Sequence, residues 1–225
     1  MSLLIHNGTI LADVRPDRII PNASLRIEDN TIAAIFSGTQ GDRKEAQEVI
    51  DASGYLLIPG FVQTHVHLCQ TLFRGLADDL SLLDWLQMKI FPLEAAHTAY
   101  SMYLSAKIGI AELIRSGTTT ILDMGSIHHE EEVIRAIGET GLRAFVGKAM
   151  MDRNDAYPPL RESTKDALNS TRTLAEQWHN SYGGKIKYAA APRFALSCSD
   201  TLMHETRMLL ESFEGDALPY ACIGT

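Results

Sequence analysis

Two patterns of hydrophobic and polar positions divide the chain near Pro59 and Gly60. Before this point, apolar and polar residues alternate in short runs, and Asp29-Asn30 separates two of these runs as a hairpin turn does. After it, apolar runs of strand length alternate with helical patterns. The pattern therefore predicts a small β domain over residues 1–58 and a region of strand–helix units over residues 59–225.

Four strand–helix units follow one another in the second region. The predicted strands are FVQTHVHL, TTTILDM, LRAFVGKAM and KIKYAAAP, and helices are predicted near residues 82–91, 98–115, 129–140, 162–178 and 200–213. Repeated units of this kind imply an α/β fold with a parallel sheet and helical crossovers. A closed (β/α)8 barrel needs eight units and typically ~250 residues, so the count fits either a four-stranded open fold or half of a barrel.

Composition and charge exclude several classes of protein. The chain has 225 residues, is 45% hydrophobic and 21% charged, and carries a formal net charge of −8. This charge argues against nucleic acid or an anionic membrane as a partner, so the expected ligand is a small molecule. No apolar run approaches the ~20 residues of a membrane span and no secretory signal is evident, so we expect a cytoplasmic protein. The three cysteines lie far apart, which leaves histidines and carboxylates as metal ligands.

The pair His65 and His67 is the strongest chemical signal in the sequence. Side chains two residues apart on a strand point to the same side, which is expected to be the inside, and can reach one ion together. Neutral imidazoles suit either zinc or Fe(II). The alternative is a pair of ordinary strand histidines. Their position at the carboxyl end of the first barrel-type strand favours a metal site, because active sites of barrels gather at that end.

Three segments of the chain resemble the amidohydrolase superfamily: IPGFVQTHVHLCQTLFRGLADDLSLLDWL, PLEAAH and SGTTTILDMG. The similarity is to the branch of 5'-deoxyadenosine, methylthioadenosine and S-adenosylhomocysteine deaminases and s-triazine hydrolases, and it extends to about Glu214. It implies the N-terminal half of a (β/α)8 TIM-type barrel, preceded by part of a small β-sandwich domain. It also implies an intact relative that is a homo-oligomer.

The resemblance implies hydrolytic deamination of an adenosine-like nucleoside or a related N-heterocycle. One divalent metal, zinc ahead of Fe(II), activates a water molecule for attack on the ring carbon, and a Glu moves the proton to the leaving ammonia. The alternative within the branch is an s-triazine chlorohydrolase or aminohydrolase, because both kinds of enzyme share these motifs.

The resemblance also assigns roles to individual residues. It makes His65 and His67 the first two metal ligands, and Glu94 matches a position that contacts the nucleoside sugar. Lys148 occupies a position where relatives can carry a substrate-contacting Arg, so it is a second substrate-binding candidate. Arg193 is the third; it stands where many relatives have a substrate-contacting His, which leaves the substrate class open.

Other polar residues of the barrel region receive structural interpretations. Asp123 ends the second predicted strand, where capping or support of the site is expected ahead of catalysis. The run from His128 to Glu132 is typical of a solvated helix start. His97, His179 and His204 lie on helical patterns and are interpreted as surface or packing residues.

The third metal-binding His and the proton-shuttle Glu of the family lie on its fifth strand, beyond the resemblance, so we expect no catalytic Glu here and no activity of this chain alone.

Pro219 to Thr225 can be encoded as CCA TAC GCA TGC ATC GGA ACG. Dropping the first base gives CAT ACG CAT GCA TCG GAA, which encodes HTHASE, a typical form of the fifth-strand motif. We therefore expect a shift of reading frame between about Leu210 and Pro219. A split enzyme completed by a second chain and a non-catalytic half-barrel that acts in assembly remain as alternatives.

Overall fold

The computed structural model describes residues 2–12, 18–38 and 46–213. The chain divides into two compact units, one ending at Gly60 and the other beginning at Phe61. The tail for which a shifted frame is expected, residues 214–225, lies outside the described residues. Within the described ranges, no helix is long and apolar enough to cross a membrane.

The first unit is a five-stranded β-sheet. Its strands are β1 (Ser2–Leu11), β2 (Ile19–Glu28), β3 (Thr31–Ser37), β4 (Glu48–Asp51) and β5 (Leu56–Leu57). The central strand β1 pairs antiparallel with β2 and parallel with β4 and β5, while β2 pairs antiparallel with β3. Every second residue of β1 is buried, which is the strand period that the alternating sequence predicted. The turn at Asp29 and Asn30 joins β2 to β3, as expected.

The second unit contains parallel strands that alternate with helices. The strands are β6 (Phe61–Val66), β7 (Thr118–Asp123), β8 (Arg143–Val146), β9 (Ala149–Met150), β10 (Ile186–Tyr188) and β11 (Ala191–Pro192). The helices are α1 (Leu82–Trp85), α2 (Phe91–Ala95), α3 (Ala99–Arg115), α4 (Glu130–Thr140), α5 (Thr164–Trp178), the single turn α6 (Ser181–Gly184) and α7 (Asp200–Glu211). A π-helical turn, Leu86–Ile90, joins α1 to α2, and a 3-10 helix, Leu68–Phe73, follows β6.

The main sheet has the strand order β10-β8-β7-β6, and every neighbouring pair is parallel. Strands in chain order with helices between them form the first half of a (β/α)8 barrel, so the expected fold class is confirmed. Two predicted strands are each broken in two. LRAFVGKAM divides into β8 and β9, and KIKYAAAP divides into β10 and β11; the second members form a separate parallel pair.

The core of the second unit lies between this sheet and its covering helices. Ile121 of β7, Val146 of β8 and Ile186 of β10 are fully buried, and they cluster with Ile110 of α3 and Ile134 of α4. The apolar stripe of each helix therefore covers one face of the sheet, as the helical period of the sequence predicts. The carboxyl ends of the strands remain available for a site.

Glycines allow the carboxyl ends of the strands to converge. A Cβ atom placed on Gly147 would lie 1.7 Å from the carbonyl oxygen of Ala189. A Cβ atom placed on Gly125 would lie 1.9 Å from the carbonyl oxygen of Gly147, and Gly125 also has a φ of 72°. Only glycine permits backbones to approach this closely. The break between β8 and β9 occurs at this point.

Candidate active site

His65 and His67 lie where β6 ends, and their side chains meet. The Nε2 atoms are 3.2 Å apart, with the rings edge-to-face. Strand β6 carries an extra residue relative to β7, because Gln63 pairs with Ile121 and Val66 pairs with Asp123. The register shift is a β-bulge that contains His65, and bulges next to active sites redirect side chains. The two rings therefore lie side by side at the end of β6, with His65 exposed, and their predicted role as metal ligands stays a prediction.

The geometry of the pair and the protonation of His67 fit a divalent metal. Two nitrogens bound to one tetrahedral zinc at ~2.0–2.1 Å lie about 3.3 Å apart, close to the separation found here. Burial lowers the pKa of His67 to about 4, and the Arg193 charge acts in the same direction, so the ring is neutral, as a ligand must be. The buried Nδ1 atom of His67 has no hydrogen-bond partner in the described part of the chain.

The described residues offer two candidate ligands and not a complete site. No group of three or more His, Cys, Asp or Glu side chains that could hold a metal occurs within residues 2–12, 18–38 and 46–213. Structural zinc sites use four protein ligands and catalytic ones use three with water. Two histidines are therefore fewer ligands than either kind of site requires.

Glu94 and Arg193 form a buried ion pair beside the histidines. Arg193 donates from Nη1 to Oε2 of Glu94 over 2.6 Å and from Nη2 to Oε1 over 3.0 Å. Gln70 donates from Nε2 to the same Oε1 atom over 2.8 Å. The guanidinium also lies over the Phe91 ring, 5.1 Å from its centre. Two residues that were predicted separately as substrate-binding groups are thus joined in one cluster.

The ion pair keeps both groups charged although both are almost fully buried. Burial would raise the pKa of Glu94, but the charge and hydrogen bonds of Arg193 and the hydrogen bond from Gln70 lower it below its ordinary value. Burial would lower the pKa of Arg193, but Glu94 raises it above its ordinary value. Removing either partner would leave an uncompensated charge in the interior.

A cavity of ≈ 620 Å³ opens in front of this cluster. Four polar side chains line it: His65, His67, Gln70 and Arg193. The remaining lining residues are apolar: Leu82, Leu83, Trp85, Leu86, Phe194 and Leu196. An apolar cavity with a few convergent polar groups is typical of a small-molecule site.

Sequence analysis missed Gln70, whose spacing of three residues from His67 in a 3-10 turn places it beside the pair.

Lys148 lies apart from this cavity lining. It is 5% exposed, donates from Nζ to the carbonyl oxygen of Ala149 over 3.2 Å and forms an ion pair with Glu162. Burial lowers the pKa of Lys148, and the Glu162 charge opposes this shift. The Lys148 ammonium is thus already paired inside the protein, and its predicted contact with substrate stays a prediction.

Two acidic residues near the strand ends are buried. Asp123 accepts hydrogen bonds from the backbone N–H groups of Leu68 and Gly125, which agrees with the supporting role expected of it. Glu130 was interpreted as part of a solvated helix start, and this interpretation is wrong: the residue is 1% exposed. It accepts hydrogen bonds from the backbone N–H and the hydroxyl of Ser126, which bring it inward.

Comparison with known proteins places the chain in a family. The sequence profile of the Amidohydrolase family matches residues 56–212. The chain is 40% identical over 212 residues to the 5'-deoxyadenosine deaminase of Methanobrevibacter smithii, covering 94% of this chain and 46% of that protein. The chain therefore spans about half the length of the curated relatives it matches.

Solved structures agree with this assignment. An adenosine deaminase from Xanthomonas campestris with bound zinc is 26% identical, with a TM-score of 0.81, and the match covers 97% of this chain and 48% of that one. A guanine deaminase from C. acetobutylicum with bound guanine is also 26% identical, with a TM-score of 0.83 and coverage of 98% and 52%. A triazine hydrolase from Arthrobacter aurescens has a TM-score of 0.86 over 95% of this chain and 51% of that one, but its 17% identity shows a shared fold alone. The chain belongs to the amidohydrolase family.

Proposed function

We propose that this chain provides half of the active site of a metal-dependent aminohydrolase, which removes an amino group by hydrolysis from an adenosine-like nucleoside or a related N-heterocycle. The observation that carries the proposal is the His65–His67 pair, whose ring nitrogens meet at the mouth of a largely apolar cavity. The deaminase names of the relatives support the reaction class.

His65 and His67 would hold the divalent metal, and zinc is proposed ahead of Fe(II) because a related adenosine deaminase contains zinc. When bound, such an ion supplies Lewis-acid activation of water. The apolar residues of the cavity would cover part of the substrate and displace water from it, which would strengthen polar contacts there. The proton shuttle is expected on a further strand, so the chain is proposed to be inactive by itself.

The substrate class depends on what Arg193 and Glu94 present to the cavity. Both oxygens of Glu94 already accept hydrogen bonds from Arg193 and Gln70, which limits their use for a sugar diol. Arg193 lines the cavity, and its five N–H donors exceed the two that Glu94 uses. The second candidate is therefore a purine base with an oxo group, because Arg donors suit the O6 and N7 acceptors of guanine. The guanine deaminase similarity supports this candidate.

Several wider expectations belong to the same proposal. They are a β domain over residues 1–58, a barrel portion over residues 59–225, a cytoplasmic location and a homo-oligomeric intact relative. One compact unit ends at Gly60 and the other begins at Phe61, which supports the division. An s-triazine hydrolase, a split enzyme and a non-catalytic half-barrel are the competing possibilities.

Metal titration tests the proposal directly. We expect one Co²⁺ or Zn²⁺ per chain, and we expect His65→Ala or His67→Ala to weaken binding at least about 100-fold, because loss of a ligand should exceed the 10–100-fold cost of losing a supporting group. Competition with a chromophoric chelator measures both the number of ions bound per chain and the affinity. His204→Ala, on the exposed face of α7, is the matched control and should bind like the wild type. Equal metal affinity in all four proteins would refute the site.

A further inference from the structure

The β-bulge in β6 leaves the position of His67 dependent on contacts that follow it. Between Gln63 and Val66 the chain has one residue more than the facing segment of β7, so regular pairing stops at the segment that carries His65. Pairing resumes at Val66, which lies opposite Asp123 and accepts a hydrogen bond from the N–H of Met124 over 2.8 Å. His67 comes directly after this point and outside the strand.

Asp123 binds the backbone just after β6 and just after β7. Its Oδ1 atom accepts a hydrogen bond from the N–H of Leu68 over 2.8 Å, and Oδ2 accepts one from the N–H of Gly125 over 3.0 Å. The N–H of Leu68 belongs to the peptide bond that follows His67. Asp123 is 1% exposed, so these charge-assisted hydrogen bonds are shielded from water.

A second element fixes the same residue from the opposite direction. The carbonyl oxygen of Leu68 accepts a hydrogen bond from the hydroxyl of Ser105 on α3 over 2.8 Å. Ser105 is fully buried. The backbone of Leu68 is thus held at its N–H by Asp123 of β7 and at its carbonyl by Ser105 of α3 and by the hydroxyl of Thr71, which donates over 3.1 Å, while its side chain packs in the core.

We propose that Asp123 is a positioning residue for the metal site: it fixes the His67–Leu68 peptide after the β6 bulge and so sets the separation of the two imidazoles. This inference rests on the proposed metal site. Asp123 acts through the backbone, since each of its oxygens accepts a hydrogen bond from an N–H group and, among residues 2–12, 18–38 and 46–213, no histidine ring is paired with it.

The test compares Asp123→Asn with a matched control. An amide keeps one acceptor oxygen but turns an NH2 group toward one of the two backbone donors, so Asp123→Asn should loosen the His67–Leu68 peptide. Asp152 lies just beyond β9, is partly buried, and accepts hydrogen bonds from the backbone N–H of Ser199 and from the hydroxyls of Ser199 and Thr164. Asp152→Asn therefore removes comparable contacts away from the histidines.

We expect Asp123→Asn to weaken Co²⁺ binding by about tenfold or more and to alter the visible spectrum of the bound ion, with Asp152→Asn within about twofold of the wild type. Urea unfolding should show that both variants lose stability. Equal effects of the two variants on Co²⁺ affinity, or unchanged affinity in Asp123→Asn, would overturn the inference. If Asp123→Asn does not fold, Ser105→Ala replaces it: it removes one of the two hydroxyls that donate to the Leu68 carbonyl, leaves the Thr71 hydroxyl in place, and so loosens the same residue without touching Asp123.

A second measurement separates failure of this inference from failure of the proposed function. If the wild-type chain binds no Co²⁺, the proposed metal site fails, and the inference is then judged on the metal-free protein. Hydrogen exchange at the Leu68 N–H should accelerate about tenfold or more in Asp123→Asn, with shifted ring resonances of His67 and no such change in Asp152→Asn. Unchanged exchange and resonances would refute the positioning role.

Discussion

Replacing Arg193 with Met should lower the free energy of unfolding by about 3–5 kcal/mol, because the change leaves the buried Glu94 carboxylate without its countercharge. Glu94→Gln should cost a similar amount by leaving the guanidinium unpaired. The double variant should be considerably more stable than the sum of the two losses predicts, since it removes both buried charges. Urea unfolding of the four proteins at neutral pH gives the coupling energy.

An exposed ion pair provides the matched control for this cycle. Arg74 and Glu112 form a bidentate pair on the surface. Because water screens exposed charges, the same substitutions at Arg74 and Glu112 should change stability far less. A coupling energy for Glu94 and Arg193 that is no larger than that of the control pair would contradict the prediction.

The stabilisation by Glu94 should also depend on pH in a defined direction. The pKa of this carboxyl is lowered from 4.5 in the folded protein, because Arg193 and Gln70 outweigh the effect of burial. The folded state therefore binds fewer protons than the unfolded state, so the stabilisation is complete above about pH 4.5 and is lost as pH falls through the folded pKa. The difference in unfolding free energy between the wild type and Glu94→Gln should be constant at neutral pH and decrease in acid. A difference that grows in acid would contradict this sign.

The ion pair changes how substitutions at these positions must be interpreted. Glu94 and Arg193 were predicted as separate contacts to substrate, and on that basis each could be changed without affecting the other. They are 99 residues apart in sequence, yet two hydrogen bonds join their side chains in the folded protein. A loss of substrate binding in Glu94→Gln could therefore come from movement of Arg193, and only comparison with the double variant separates the two effects.

The strands and helices could be predicted because their signals are local. The apolar runs predicted the bounds of β6 and β7 to within two residues. The Ser116-Gly117 pair predicted the end of α3, which stops at Arg115. The spacing of His65 and His67 predicted that their side chains lie close together, but that prediction assumed a regular strand, whereas a bulge contains His65 and β6 ends before His67. Each of these inferences needs only a few neighbouring residues.

Contacts between distant residues could not be predicted in the same way. The burial of Glu130 depends on the turn at Ser126 and on the strands beside it. A run of Glu residues at the start of a helix has the same sequence pattern whether the side chains are solvated or buried, so the pattern cannot distinguish the two cases. The bulge in β6 depends on register with β7, which hydrophobic pattern does not specify at one-residue resolution. The breaks in two predicted strands likewise follow from backbone convergence at Gly147.

Gly147→Ala should lower the free energy of unfolding by about 3 kcal/mol or more, because the new Cβ atom would meet the carbonyl oxygen of Ala189 at 1.7 Å. That oxygen belongs to the backbone and cannot rotate away as a side chain would. Gly38→Ala is the matched control: nothing lies within 4 Å of its Cβ position, so only its φ of 77° opposes the change. The control should cost about 1 kcal/mol, and urea unfolding measures both. Equal losses would show that β8 and β10 can separate at little cost, whereas a larger loss at Gly147 would show that the stability of the fold depends on their close approach.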